Sequence, residues 1–154
     1  MQKTKCVTFI LSAFIMGIFM STITKAQSTE EQIISKEKAA LDRWKTGDTF
    51  GFVEIAADDI TYFDPVLQTR VTGIKEFTNH YASFRYSFSF PDYELLNPQV
   101  QLYGETGILT FNFVGTNNDG SKSQWNATEV YHLFDNDWKL VSSHWSPTKS
   151  GNQN

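Results

Sequence analysis

The sequence predicts an α+β fold, with helices gathered near the N-terminus and packed into a strongly curved, mixed or antiparallel sheet formed by the C-terminal half. Two observations carry this. Apolar residues recur at helical spacing between Ile33 and Phe84, whereas alternating, β-rich runs fill Tyr93 to Ser146. The turns between those runs are too short to hold a crossover, so neighbouring strands run antiparallel. Helices first and strands last is the order of a segregated α+β domain. A curved sheet wrapped round three helices is expected to leave a cavity at its open end, giving the domain the shape of a cone.

Residues 1–26 read as a secretory signal. Lys3 and Lys5 precede an uncharged apolar run from Cys6 to Met20, and Thr24-Lys25-Ala26 puts small residues where signal peptidase reads. The run is too short to span a bilayer comfortably. Cleavage after Ala26 would start the mature chain at Gln27 and place it outside the cytoplasm, periplasmic or secreted. Residues 27–148 then form one domain, followed by a polar, flexible tail over 149–154.

In the domain, Ser28 and Glu31 make a capping box for a first helix whose Ile33, Ile34, Ala40, Leu41 and Trp44 share one face. Gly47 stops it, and Asp48 is placed to cap a short second helix carrying Phe52, Val53, Ile55 and Ala56. Ile60 to Asp64 alternates as a strand that Pro65 ends. Thr72-Gly73 opens a third helix lined by Ile74, Phe77, Tyr81 and Phe84. Strands follow over Tyr93–Tyr103, Ile108–Thr116, Ser123–Phe134 and Trp138–Ser146. The turns between them are Gly104–Gly107, Asn117–Gly120 and Asp135–Asp137.

Charge and cysteine count narrow the function classes. Without residues 1–26 the chain has 128 residues, with 10 basic against 17 acidic side chains and a net charge of −7. That balance argues against nucleic acid or an anionic membrane as partner. The single cysteine leaves with the signal, so the core alone must hold the fold.

The segments Leu41–Asp48, Asp58–Pro65 and Gly73–Phe77 resemble the opening of nuclear transport factor 2-like proteins, in wording closest to the SnoaL-like group of exported bacterial members. Asn97–Glu105 is similar to a strand of the association domain of calcium/calmodulin-dependent kinase II. So is the ending carried by Thr128-Glu129-Val130-Tyr131, Trp138, Val141, His144 and Ser146. The resemblance spans about residues 31–148. It implies the cone fold but not one activity, because this fold hosts isomerases, dehydratases, cyclases, hydrolases and assembly modules.

The resemblance also places candidate site residues. Asp64 falls where ketosteroid isomerases of this superfamily keep their general base. Glu129 falls, within one residue, where they hold a protonated carboxyl in the oxyanion hole. Their helix-one tyrosine corresponds to Ala40, so ketosteroid isomerase itself is not implied. Asp64 shares a strand face with Ile60 and Tyr62, and a carboxylate walled by aromatics is expected to have a raised pKa. Its other reading is a turn initiated at Pro65. Glu129 shares its face with Trp125, Ala127, Tyr131 and Leu133. An acid there must be hydrogen-bonded, paired or protonated, unless that face lies open at a sheet edge.

By the same resemblance Asn112 faces the pocket, as a ligand contact or a satisfied core amide. Trp145 is preferred over His144 as a wall, although a one-residue slip at the Asp135–Asp137 turn would exchange them. Glu37 interrupts the apolar stripe of helix one and reads as a rim charge. The outward alternation assigned to Phe111, Phe113 and Val130 predicts a homodimer packed sheet to sheet.

His80, His132 and His144 lack neighbours at metal-ligand spacing, and no nucleophile elbow or phosphate loop is present, so neither metal nor cofactor is expected. The expected role is an exported domain that binds a small apolar molecule. The alternatives are a cofactor-free isomerase, dehydratase or cyclase using Asp64 as base and Glu129 as acid group, and a non-catalytic dimeric module. Tyr62, Asn112, Tyr131 and Trp145 are the expected pocket walls.

Overall fold

The computed structural model describes residues 27–148, so the expected signal over 1–26 and the tail over 149–154 lie outside the described residues. Helix α1 (Thr29–Trp44) starts on the expected capping box: Ser28 Oγ accepts from the Glu31 N–H, and the Ser28 N–H donates to Glu31 Oε2 at 2.9 Å. Ile33, Glu37, Ala40 and Leu41 form its buried stripe. Gly47, at φ +81°, ends the turn after α1 in a conformation that a side chain would strain.

Asp48 does not occupy the N-cap of α2 (Phe50–Ile55); that position falls to Thr49, which has no side-chain cap bond. The Asp48 carboxylate accepts instead from Arg43 Nε and Nη2, at 2.8 and 2.6 Å, and from Arg85 Nε at 2.8 Å, with a longer bond from the Phe50 N–H. Two guanidinium groups outcompete one backbone donor, and Asp48 so ties the end of α1 to the segment after α3. Helices α1 and α2 approach closely because both are small at the contact. A Cβ on Gly51 would lie 2.8 Å from Ala40 Cα.

Strand β1 (Ala56–Phe63) follows α2 without a loop and begins four residues before the expected Ile60. A two-residue strand β2 (Val71–Thr72), with no alternation long enough to reveal it, pairs back antiparallel on Thr61 and Tyr62. Then come α3 (Ile74–Ser83), β3 (Asp92–Tyr103), β4 (Thr106–Thr116), β5 (Lys122–Phe134) and β6 (Asp137–Pro147). The six strands form one mixed sheet in the order β2-β1-β6-β5-β4-β3. Strands β3 to β6 are the expected meander, and β1 joins its far side parallel to β6.

The helices cover one face of this sheet. Leu109, Phe111 and Phe113 of β4, Ala127, Glu129 and Tyr131 of β5, and Trp138 and Leu140 of β6 turn towards them and are buried. This corrects the outward placement of Phe111 and Phe113, whereas Val130 does lie on the opposite face. A bulge resolves the phase of β6. Val130 pairs with Ser142 but Tyr131 pairs with Leu140, so Val141 is the extra residue. It carries the buried series from Trp138 and Leu140 over to Ser143 and Trp145. His144 then points outward, exposed, with its ring centroid 6.1 Å from that of Phe63.

Candidate functional site

At the open end of the sheet lies a cavity of about 210 Å³. Leu41 and Trp44 come from α1, Tyr62 from β1 with Asp64 just after it, and His80 and Tyr81 from α3 with Phe84 just after it. Phe88 and Phe90, with Phe113, Trp125 and Trp145 of the sheet, complete most of its walls. The aromatic rings brace one another: Phe90 meets Phe113 edge-on at 5.3 Å, and Phe113 meets Trp145 at 5.6 Å.

Among the described residues Asp64 is the one carboxylate in this wall, and its reading as the initiator of the turn holds. Oδ1 accepts from the Val66 and Leu67 N–H groups, at 2.9 and 3.1 Å, and so builds the turn at Pro65. Oδ2 accepts from the Tyr62 hydroxyl at 3.1 Å and lies 3.2 Å from His80 Nε2. His80 meets Asp64 in space because α3 packs beside the end of β1. Burial, and then the Asp64 charge, push the Tyr62 hydroxyl well above its usual range, so it stays a donor.

Glu129 lies beneath this cavity and does not form part of its wall. It is fully buried on the helix-facing side of β5, where Ser143 Oγ donates to its Oε1 at 3.1 Å. Glu37 is its partner in burial, and the rim position expected for it is wrong. The residue continues the stripe of Ile33, Ala40 and Leu41, and Tyr131 donates its hydroxyl to Glu37 Oε2 at 2.5 Å. Among the described residues Glu37 Oε1 and Glu129 Oε2 have no hydrogen-bond partner.

Burial pushes the Glu37 carboxyl up to about 7, against the pull of the Tyr131 hydroxyl. Burial, with the Glu37 charge added, holds Glu129 well above the carboxylate range, and the bond from Ser143 offsets only part of this. Two carboxyls in one dry core do not both ionise cheaply, so both are held above the ordinary carboxylate range.

The other expected walls divide. Tyr62 and Trp145 line the cavity. Tyr131 faces the same side but is sealed beneath it, its hydroxyl committed to Glu37. Asn112 is corrected outright. It lies on the outer face, where its Nδ2 donates to Asn126 Oδ1 at 2.7 Å, because Phe111 and Phe113 take the inward phase of β4. Trp44, His80, Tyr81 and Phe113 escaped the sequence reading as site residues, although the run Phe77, His80, Tyr81, Phe84 on α3 has the spacing of one helix face. Among the described residues no group of three or more histidine, cysteine or acidic side chains is placed to hold a metal.

The cavity therefore offers an apolar bed with one fixed polar cluster, Asp64–His80–Tyr62, set in its wall. A cavity of about 150 Å³ accepts benzene, so this one has room for one or two rings.

Comparison with known proteins adds the following. The family described as calcium/calmodulin-dependent protein kinase II association domain matches residues 29–149. No curated protein matches the sequence. Among solved structures, a candidate ketosteroid isomerase from Parabacteroides distasonis is 32% identical, with a TM-score of 0.73 over 82% of this chain and 93% of that one. The calcium/calmodulin-dependent kinase II hub of S. rosetta is 20% identical, with a TM-score of 0.63 over 80% and 99%. A candidate dehydratase of the nuclear transport factor 2-like family from Streptomyces avermitilis is 21% identical, with a TM-score of 0.64 over 78% and 96%. The fold is the nuclear transport factor 2-like cone, shared by isomerase, dehydratase and hub relatives.

Proposed function

The chain belongs to the calcium/calmodulin-dependent protein kinase II association domain family, and on that premise we propose that it is an exported domain that binds a small apolar molecule in its aromatic cavity. The observation that carries this is the cavity itself, whose walls are rings and aliphatic carbon with a single polar cluster. A site meant for an anionic metabolite would carry a lysine or arginine, and among the described residues none lines it. The export half of the reading rests on Lys3, Lys5 and the apolar run Cys6–Met20. N-terminal sequencing of native material is expected to begin at Gln27, and a Met1 start would refute export.

Binding is tested by extracting the purified protein and identifying what leaves it by mass spectrometry. A parallel titration follows tryptophan fluorescence against 2-naphthol, since Trp44, Trp125 and Trp145 report directly on the cavity. An apolar compound in the extract, or saturable quenching, supports the reading. An empty extract together with no quenching refutes it.

Self-association is the second reading, supported by the family's description as an association domain and by apolar groups such as Val130 and Phe63 on the outer face. We propose a homodimer formed through that face. The enzyme in which Asp64 is the base and Glu129 the acid group loses support, because Glu129 does not reach the cavity.

A further inference from the structure

We propose that His80, held in place by Asp64, is the group of this pocket that takes up and releases a proton, and that the cavity serves an aromatic-sized carbon acid. The proposal rests on the small-molecule reading above and adds chemistry to it.

The argument starts from the acceptor capacity of Asp64. A carboxylate has about four lone-pair directions. Here Val66 and Leu67 N–H groups take two, the Tyr62 hydroxyl a third and His80 Nε2 the fourth. A carboxylate so engaged has no free direction from which to accept a proton from a ligand. It does fix the imidazole. Because Asp64 accepts, Nε2 must carry the hydrogen, which leaves the lone pair of neutral His80 on Nδ1; this tautomer is assigned from the hydrogen-bond network.

Nδ1 has no hydrogen-bond partner among the described residues and is not among the sealed, unpartnered polar atoms, while the ring lines the cavity with its side chain 15% exposed. Tyr81 and Phe84 pack edge-on against that ring, with centroids 5.7 and 5.1 Å away, and hold its plane. When Nδ1 takes a proton, the cation formed already lies against the Asp64 carboxylate. Asp64 is thus a positioning residue that also stabilises the charged imidazole.

The test uses 5-nitrobenzisoxazole, a neutral two-ring carbon acid of a size suited to the cavity. In its elimination Nδ1 takes the ring C–H proton, the released electron pair becomes part of the nitrile triple bond, and the N–O bond breaks. The oxygen leaves as a coloured phenolate, and the imidazolium returns its proton to water. The expected result is turnover about a hundredfold or more above free imidazole at equal concentration. H80Q is expected to lose that advantage. Full activity in H80Q, or loss in D64N with H80Q active, would overturn the assignment.

Nitrogen NMR of the wild-type ring needs no variant: the Nε2–H tautomer supports the proposal, with D64N shifting the balance, and an Nδ1–H ring overturns it. Quenching without turnover would overturn the catalytic role and leave the binding reading standing. Neither quenching nor turnover would overturn both.

Discussion

Replacing Glu37 by glutamine removes a group that opposes folding near neutral pH. Burial raises this carboxyl from 4.5 to about 7. Between those values the folded chain retains a proton that the unfolded chain has already released, so stability falls as pH rises through the window. The slope is about 1.4 kcal/mol per pH unit, and the accumulated loss above neutrality is about 3 kcal/mol, an appreciable part of what holds a domain this size. Glu129, raised in the same direction by burial and by the Glu37 charge, adds a fall of its own over the same range. Below the window the sign reverses: Asp48 and Asp137, lowered by their basic partners, lose their contribution once pH falls under their ordinary 3.8. Wild-type stability is therefore expected to peak between about pH 4 and 5. The assay is urea unfolding at intervals from about pH 5 to 8, on wild type and E37Q in parallel. The wild-type midpoint should fall steadily and that of E37Q less steeply, since only Glu129 still loses ground there, so that the variant is the more stable protein at the alkaline end. Two curves with equal slope would refute the reasoning, since Glu37 would then titrate alike in both states.

Three other outcomes follow from the packing. Tyr131→Phe leaves Glu37 without its donor and should cost about 1.5–3 kcal/mol at alkaline pH but less in acid, where the carboxyl is neutral; the same urea series measures it. Gly115→Ala puts a Cβ 2.4 Å from Phe90 Cδ1 and 2.9 Å from Phe113 Cε1, so Phe90 must shift. A loss of about 1–3 kcal/mol, with weakened quenching by 2-naphthol, is expected from denaturation and fluorescence titrations. Light scattering at tens of micromolar should return twice the chain mass for wild type, and Val130→Lys, which charges the outer face, should return one.

The class of fold was legible because local signals agreed with one another: the capping box at Ser28, the glycine stop at Gly47 and the turns of the meander all lie where the structure has them. Interior acids were legible where an odd residue stood on a regular face. Glu129 among the apolar positions of β5 is such a case, and so is Asp64 beside Tyr62. Glu37 carried the same signal, at i+4 from Ile33 and i−4 from Leu41, but a charge on a helix is usually solvated and was read so. Asn112 failed for a different reason. The alternation of Phe111 and Phe113 points them inward, and a distant resemblance overrode it. The phase of β6 was beyond sequence reading, because the bulge at Val141 changes which residues face inward without any glycine or proline to mark it. His80 meets Asp64 only through the packing of α3 against β1, a contact that no local pattern encodes.

The position of β6 has a consequence for how the protein is made. The last of the described strands is not at the sheet's edge but between β1 and β5, and Thr61 Oγ1 reaches Ser142 Oγ across 81 positions of sequence. Until that strand emerges, a nascent chain holds β1 and β5 apart, each with a bare row of backbone donors and acceptors. The domain therefore closes late, by contacts distant in sequence, and its folding is expected to be slow for its length. A premature stop that removed only the final strand would delete a small fraction of the residues and leave two sticky sheet fragments. The ribosome must pass β6 before the two halves of the sheet can be joined.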